Sequence, residues 1–346
     1  MKAVIALGTR PEITKLSELI RIFDNALVVF TGQHYDYNLA QSFFKTLELR
    51  NPDYNLTVDN RTRGSQISSM ITNVEMVLIS EKPDILITLG DTNSTLACAL
   101  VSTNRNIDLI HIEAGCRSFD KSMPEEINRK MVDAISDLHI SPTDYCTQNL
   151  RNEGIVDTVH QLGHPIVDTI EFIKPKLKKR PELNEKILLT IHRKANLGKR
   201  LKPLMKSIDN LGIPVYFPIH PHTRKKLHSL NLKLDNIELI PPLPFLEFLE
   251  AIQSSKLLLT DSGGAQQESF LLGAPCITLR ARTEWKETFD LGGNFLVPDY
   301  REIAPTITKV MKNEDEIRNK ITMNKETIFG SNVSKKIKDL LEDRYL

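Results

Sequence analysis

Short apolar runs rich in Leu, Ile and Val alternate with longer amphipathic stretches, and the series occurs twice along the chain. Residues 3–7, 27–31, 85–89, 109–112 and 138–141 form the first set of runs. Between them, 11–23, 63–79, 92–101, 124–135 and 143–153 carry apolar residues at helical spacing, clearest in Ile67, Met70, Ile71, Val74 and Leu78. Such alternation is the pattern of βαβ units on a parallel sheet. The first half closes near Gly163. Residues 173–182 are basic, proline-containing and poor in apolar side chains, so they read as a linker and the end of an interdomain helix, with the charge run facing solvent. A second series then has runs at 187–191, 214–218, 237–240, 257–260 and 275–278. The expected fold class is α/β, with two Rossmann-like doubly wound domains facing a cleft. The expected boundaries are 1–170 and 171–330, with a C-terminal helix over 331–346 packing back on the first domain.

Composition bounds the partners. A chain of 346 residues with 40% apolar content is long enough for two cores. Its 45 basic and 44 acidic side chains leave a net charge of +1, which gives no electrostatic reason to expect nucleic acid or an anionic membrane as partner. No apolar run approaches the roughly 20 residues of a membrane helix, and the start of the chain has neither the apolar core nor the cleavage site of a signal peptide. Cys98, Cys116, Cys146 and Cys276 are far apart, without metal-ligand or disulfide-framework spacing. The expectation is a reduced, cytoplasmic, soluble protein whose site holds no metal.

Charged residues concentrate where runs end. His111-Ile-Glu-Ala-Gly-Cys-Arg-Ser118, followed by Met123-Pro-Glu-Glu-Ile-Asn-Arg129, brings carboxylates, arginines and a histidine to a strand-to-helix connection. Ligands of open α/β sheets sit beyond the carboxyl ends of parallel strands, so Glu113 and Glu125 are candidate proton-transfer groups. Glu125 equally suits the positive end of a helix. Gly90-Asp-Thr-Asn-Ser-Thr95 places Asp91 at the same edge, where it is either a functional carboxylate or a helix cap.

Two glycine turns offer backbone donors. Gly8-Thr-Arg-Pro-Glu-Ile-Thr-Lys15 leads from a strand into a helix and is neither Gly-x-Gly-x-x-Gly nor a Walker-type loop. Arg10 and Lys15 there either bind a diphosphate or flank the helix. Thr260-Asp-Ser-Gly-Gly-Ala-Gln-Gln-Glu268 lets a phosphate approach N–H groups near Ser262, Gly263 and Gly264, and Glu268, about one turn in, suits two ribose hydroxyls. His192, Arg193 and His220 lie at strand ends of the second half, and Arg117 joins them as a candidate substrate-binding cation.

Together these motifs resemble the non-hydrolysing UDP-N-acetylglucosamine 2-epimerase family. The resemblance rests on Gly8-Thr-Arg-Pro-Glu12, Thr31-Gly-Gln-His34, Gly90-Asp-Thr92, His111-Ile-Glu-Ala-Gly115, Pro124-Glu-Glu-Ile-Asn-Arg129, Ser141-Pro-Thr143, His192-Arg193 and Asp261-Ser-Gly-Gly264, in the family's order. It implies the glycosyltransferase-B arrangement, a UDP-sugar substrate, no nicotinamide or metal, and commonly a homodimer. It further implies elimination of UDP to 2-acetamidoglucal, then re-addition with the proton delivered to the other face of C2. On this likeness Asp91, Glu113 and Glu125 carry acid and base work and His192 assists near the diphosphate. Arg10, Ser262, Gly263, Gly264 and Glu268 hold UDP, with Lys15 a further candidate.

Two departures bear on substrate. Gln266-Gln-Glu268 replaces the common Gln-Glu-Glu, keeping the expected ribose ligand. Thr283-Glu-Trp-Lys-Glu287 replaces Thr-Glu-Arg-Pro-Glu and looks like the subgroup acting on UDP-2,3-diacetamido-2,3-dideoxyglucuronic acid, whose carboxylate Lys286 would meet. A packing change explains Trp285 equally well. A hydrolysing epimerase, a retaining glycosyltransferase and a nucleotide-sugar sensor are the other readings, of which the three carboxylates disfavour the sensor.

Overall fold

The computed structural model describes residues 1–33 and 37–346, so His34 of the Thr31-Gly-Gln-His34 motif lies outside the described residues. Contacts divide the chain into two compact units, Met1–Phe172 with Thr327–Leu346, and Ile173–Glu326.

The first unit is built on β1 (Ala3–Leu7), α1 (Arg10–Ile22), β2 (Leu27–Phe30), α2 (Tyr37–Thr46), β3 (Tyr54–Asn55), α3 (Arg63–Glu81), β4 (Ile85–Leu89), α4 (Asn93–Arg105), β5 (Asp108–Ile112), α5 (Pro124–Ile135), β6 (Leu138–Ser141), α6 (Asp144–Asn152), β7 (Val159–Gln161) and α7 (Ile166–Ile173). Its strands pair in parallel in the order β3-β2-β1-β4-β5-β6-β7. Every residue of β1 and β4 is buried, which is why these strands read as continuous apolar runs without alternation. Val4, Leu86 and Leu109 of neighbouring strands pack in one core with Val74 and Leu78 of α3. Each fully buried side chain of this size contributes roughly 1.5–3 kcal/mol.

The strand order reverses between β1 and β4, so the turns leaving these strands open beside each other. Gly8 is required by that neighbourhood: a Cβ there would fall 2.2 Å from Thr31 Oγ1 and 2.7 Å from Ser94 Oγ. The turn is fixed by Glu12, three residues past the N-cap of α1, whose Oε2 accepts from the N–H groups of Gly8 at 2.9 Å and Thr9 at 2.7 Å.

The second unit contains β8 (Ile187–Thr190), α8 (Leu201–Asp209), β9 (Val215–Pro218), α9 (Pro221–His228), β10 (Ile237–Ile240), α10 (Phe245–Ser254), β11 (Leu257–Thr260), α11 (Gly263–Leu271), β12 (Cys276–Thr278), α12 (Lys286–Asp290), β13 (Asn294–Leu296), α13 (Ile303–Lys312) and most of α14 (Glu314–Phe329). Its parallel sheet runs β10-β9-β8-β11-β12-β13 and reverses between β8 and β11. The molecule is therefore α/β, with two doubly wound parallel sheets. The terminal helix α15 (Val333–Tyr345) belongs to the first unit. Asp168 accepts from the N–H groups of Val333 at 3.1 Å and Ser334 at 2.6 Å, Lys338 donates to the Ile22 carbonyl at 3.1 Å, and the Tyr345 hydroxyl donates to Asp108 at 2.7 Å. No helix among the described residues is long and apolar enough to cross a membrane.

Candidate active site

In the first unit, charged side chains gather on the turns leaving β1, β4 and β5. Glu113, the first residue after β5, holds a left-handed backbone with φ of 72°. Its side chain is 10% exposed and its Oε2 lies 2.7 Å from Lys15 Nζ and 3.4 Å from His164 Nε2. Burial disfavours the carboxylate, but the Lys15 charge, reinforced by His164, outweighs it and holds Glu113 below the usual carboxylate range. Burial likewise opposes the Lys15 charge, and Glu113 more than restores it. A carboxylate held this way is a poor proton donor and a strong stabiliser of positive charge. A Cβ on Gly90 would sit 3.5 Å from that carboxylate, so the β4 turn bearing Asp91 lies directly against it.

Asp91 pairs with Arg129 of α5 while keeping 26% of its side chain exposed. Its carbonyl accepts from Asn128 Nδ2 at 2.9 Å. The two adjacent glutamates of α5 divide. Glu126 is buried and accepts from the N–H of Ser118 at 2.8 Å, the Ser118 hydroxyl at 2.9 Å and the N–H of Phe119 at 3.0 Å, whereas Glu125 is exposed. Glu126 is thereby committed to shaping the loop, and Glu125 retains access to a ligand. Arg10, the first residue of α1, lies over the Phe43 ring at 5.9 Å.

One expectation is corrected here. Arg117 is not placed to bind substrate: its side chain is fully buried, with Nη1 2.7 Å from Asp133 Oδ2 and Nη2 2.5 Å from Glu153 Oε2. An arginine so enclosed braces the loop after β5. Asp133 also lies 2.6 Å from His111 Nδ1. Burial works against its ionisation, yet His111 and Arg117 prevail and bring it down to about 2.

In the second unit, buried Asp261 follows β11 and pins the loop after β8. Its carboxylate accepts from the N–H groups of His192 at 3.1 Å and Arg193 at 3.0 Å and from Asn196 Nδ2 at 3.0 Å. The His192 ring stands 3.2 Å from Asp261 and has about half its surface open. Its pKa is lowered, chiefly by the protein that surrounds it; Asp261 opposes this, while Arg193, His220 and Arg280 reinforce it. Beside it α11 opens with Ser262 as N-cap, its hydroxyl accepting from the Ala265 N–H at 3.3 Å. Nothing approaches within 4 Å of where a Gly264 side chain would begin, and Gly263 faces a two-bond Arg280–Glu284 ion pair, both bonds 2.9 Å. Glu268 is half-buried one turn along α11. Open N–H groups at a helix start with cations and histidine nearby are suited to phosphate. Trp285 is buried, with its backbone N–H donating to Thr283 Oγ1 at 3.1 Å, whereas Lys286 is exposed at the start of α12.

Sequence reasoning missed His164, Asp133 and Arg280. His164 follows β7, too short a strand to stand out. Asp133 carried a legible signal. In α5 the residues at helical spacing that face inward are Glu126, Arg129 and Asp133, while Ile127 and Met131 are 50% and 43% exposed, an inverted amphipathic pattern that marks a charged interior.

A doubly wound sheet with paired carboxylates and cations at its switch point, and a second with an open glycine-rich helix start, define a Rossmann-like enzyme for an anionic substrate. The profile of the UDP-N-acetylglucosamine 2-epimerase family matches residues 21–342, and the chain belongs to this family of epimerases. A UDP-N-acetylglucosamine 2-epimerase of Methanocaldococcus jannaschii is 42% identical over 341 residues, covering 91% of this chain and 93% of the relative. A UDP-2,3-diacetamido-2,3-dideoxy-D-glucuronate 2-epimerase of Pseudomonas aeruginosa is 37% identical over 319 residues, covering 88% and 90%. The crystal structure of the Methanocaldococcus jannaschii UDP-GlcNAc 2-epimerase in complex with UDP-GlcNAc and UDP matches with a TM-score of 0.86 at 38% identity over 99% of both chains.

Proposed function

We propose that this protein interconverts UDP-N-acetylglucosamine and UDP-N-acetylmannosamine by removing and restoring UDP. The observation that carries the reading is Glu113, held ionised by Lys15 against the Asp91 turn. The C2 proton has no adjacent carbonyl and is barely acidic, so cleavage of the C1–O bond must run ahead, its electron pair leaving with UDP. Positive character then develops at C1, where Glu113 stabilises it. Asp91, a quarter exposed beside Arg129, and Glu125, exposed on α5, exchange the C2 proton, one removing it to give 2-acetamidoglucal and the other delivering it to the opposite face as UDP returns. Arg10, Lys15, His192, Arg193 and His220 offset the charge on departing UDP. Ser262, Gly263 and Gly264 bind its phosphates and Glu268 its ribose. We expect the working form to be a homodimer, as the family resemblance implies.

Reaction in D₂O tests this: proton NMR should show deuterium at C2 of both sugars. Turnover that leaves C2 without deuterium would falsify the elimination route, and accumulation of free N-acetylmannosamine would make the enzyme hydrolysing. A second reading, epimerisation of UDP-2,3-diacetamido-2,3-dideoxyglucuronic acid, is favoured by the Glu284-Trp-Lys286 sequence and by the Pseudomonas aeruginosa relative.

A further inference from the structure

His111 of β5 is fully buried. Its Nε2 lies 2.8 Å from the Gly90 carbonyl oxygen, and its Nδ1 lies 2.6 Å from Asp133 Oδ1. A carbonyl oxygen only accepts, so Nε2 carries a hydrogen. Asp133 is kept as a carboxylate from its other oxygen, which receives the Arg117 guanidinium at 2.7 Å and the Gly115 N–H at 3.1 Å. A carboxylate also only accepts, so Nδ1 carries a hydrogen as well. We infer that His111 is a buried imidazolium, protonated on both nitrogens, and that it is a positioning residue locking the Asp91 turn to the Glu113 turn.

His139, its register partner on β6, supplies the contrast. Its Nε2 donates to the Asp133 carbonyl at 2.7 Å, but its Nδ1 lies 2.9 Å from the Thr158 hydroxyl, which is able to donate. A neutral ring satisfies both contacts there. No neutral form of His111 does so: whichever nitrogen lost its hydrogen would set a lone pair against an oxygen at 2.6 or 2.8 Å.

The positioning role follows from what the ring holds. Gly90 donates its N–H to the Ile112 carbonyl at 3.0 Å and accepts from His111, so β5 grips this turn from both sides. Through Asp133 the same ring is tied to Gly115. Gly90, Glu113 and Gly115 have φ values of 77°, 72° and 81°. Glu113 carries a side chain and persists in that backbone state because its surroundings fix it. His111 touches no substrate in this scheme; it sets where Asp91 and Glu113 stand.

The charge state is independent of the epimerase reading, and the catalytic consequence rests on it. The full chain labelled with ¹⁵N-histidine should show, at neutral pH, one ring with both nitrogens hydrogen-bearing, identified by its through-space contacts to the Gly90 backbone. A bare nitrogen on that ring overturns the inference. His111→Gln, whose one amide nitrogen reaches only one of the two acceptors and sets an oxygen toward the other, should lower kcat for the UDP-sugar by roughly 10²-fold, the scale of an ångström of misplacement, with KM and calorimetric UDP affinity within about threefold of the parent. An unchanged kcat overturns the positioning role. If His111→Gln does not fold, His111→Asn is read in the same way and the spectrum of the unaltered chain still decides the charge. An unaltered chain that turns over no UDP-sugar counts against the epimerase reading and leaves the spectrum to judge His111.

Discussion

At the switch point of the first unit the turns carry side-chain charge, much of it locked: Lys15 on Glu113, Arg129 on Asp91, Arg117 and His111 on Asp133. At the switch point of the second unit the comparable turns carry backbone N–H groups and half-open or exposed histidines, organised by Asp261 through neutral amide donors. The same fold has been equipped in two ways. Locked charge lowers the barrier where charge develops during reaction, because it need not reorganise. Open backbone donors and half-open rings suit a group that must enter and leave. On that division, changes in the first unit should fall mainly on kcat and changes in the second mainly on nucleotide affinity.

The sharpest test of the division is removal of the carboxylates. Asp91→Asn and Glu125→Gln should each lower kcat by roughly 10²–10⁴-fold, the range for general acid–base groups, and Glu113→Gln by roughly 10²–10³-fold, the range for a removed electrostatic stabiliser, with calorimetric UDP affinity preserved. Loss of UDP binding with retained turnover would reverse the division. Glu126→Gln is not equivalent to its neighbour, since Glu126 is enclosed by Ser118 and Phe119 donors.

The locking itself is tested by stability. Asp133→Asn leaves Arg117 and His111 without their shared anion and should destabilise the fold by roughly 3–5 kcal/mol in denaturant unfolding, as expected for a broken buried pair. The sign with pH follows from Asp133 lying below its ordinary 3.8, at about 2. Its contribution is complete above pH 4 and is lost as pH falls toward 2. The parent should therefore lose part of its advantage over Asp133→Asn across that acid window; a constant difference would show that Asp133 is not held by charge.

The sequence made the sheets and their switch points legible because buried parallel strands are long apolar runs and the turns are marked by glycine. The strands β3, β7 and β13 escaped because two or three residues carry no periodicity, and with β7 went His164. Arg117 was misjudged for a different reason. Its position beside Glu113 in sequence says it is near the site, but whether a guanidinium faces ligand or interior depends on Asp133 and Glu153, which lie 16 and 36 residues on in sequence. Residue type and spacing identify a charged site; the pairing of its charges is a tertiary property.

A smaller effect is expected from the second unit. Glu268→Ala should weaken UDP binding roughly 10–100-fold, the loss of charge-assisted hydrogen bonds worth about 1.5–3 kcal/mol, with kcat at saturation little changed. A fall in kcat at unaltered affinity would place Glu268 with the first unit's functions and blur the division.

The smallest effect concerns substrate identity. Trp285 is buried, which makes its departure from the family's arginine a matter of packing, so the substrate signal falls on exposed Lys286. An ammonium in solvent meeting a carboxylate contributes only about 0.2–1 kcal/mol. Lys286→Ala should therefore raise KM by at most about fivefold for UDP-2,3-diacetamido-2,3-dideoxyglucuronic acid and leave UDP-N-acetylglucosamine unaffected, with kcat the same for both. Specificity constants for the two sugars in parent and variant separate the cases. Efficient turnover of UDP-N-acetylglucosamine with none of the acidic sugar removes Lys286 from recognition. An effect on both sugars alike would instead mean that Lys286 meets the nucleotide they share, adding one more charge to those of Arg193 and Glu268.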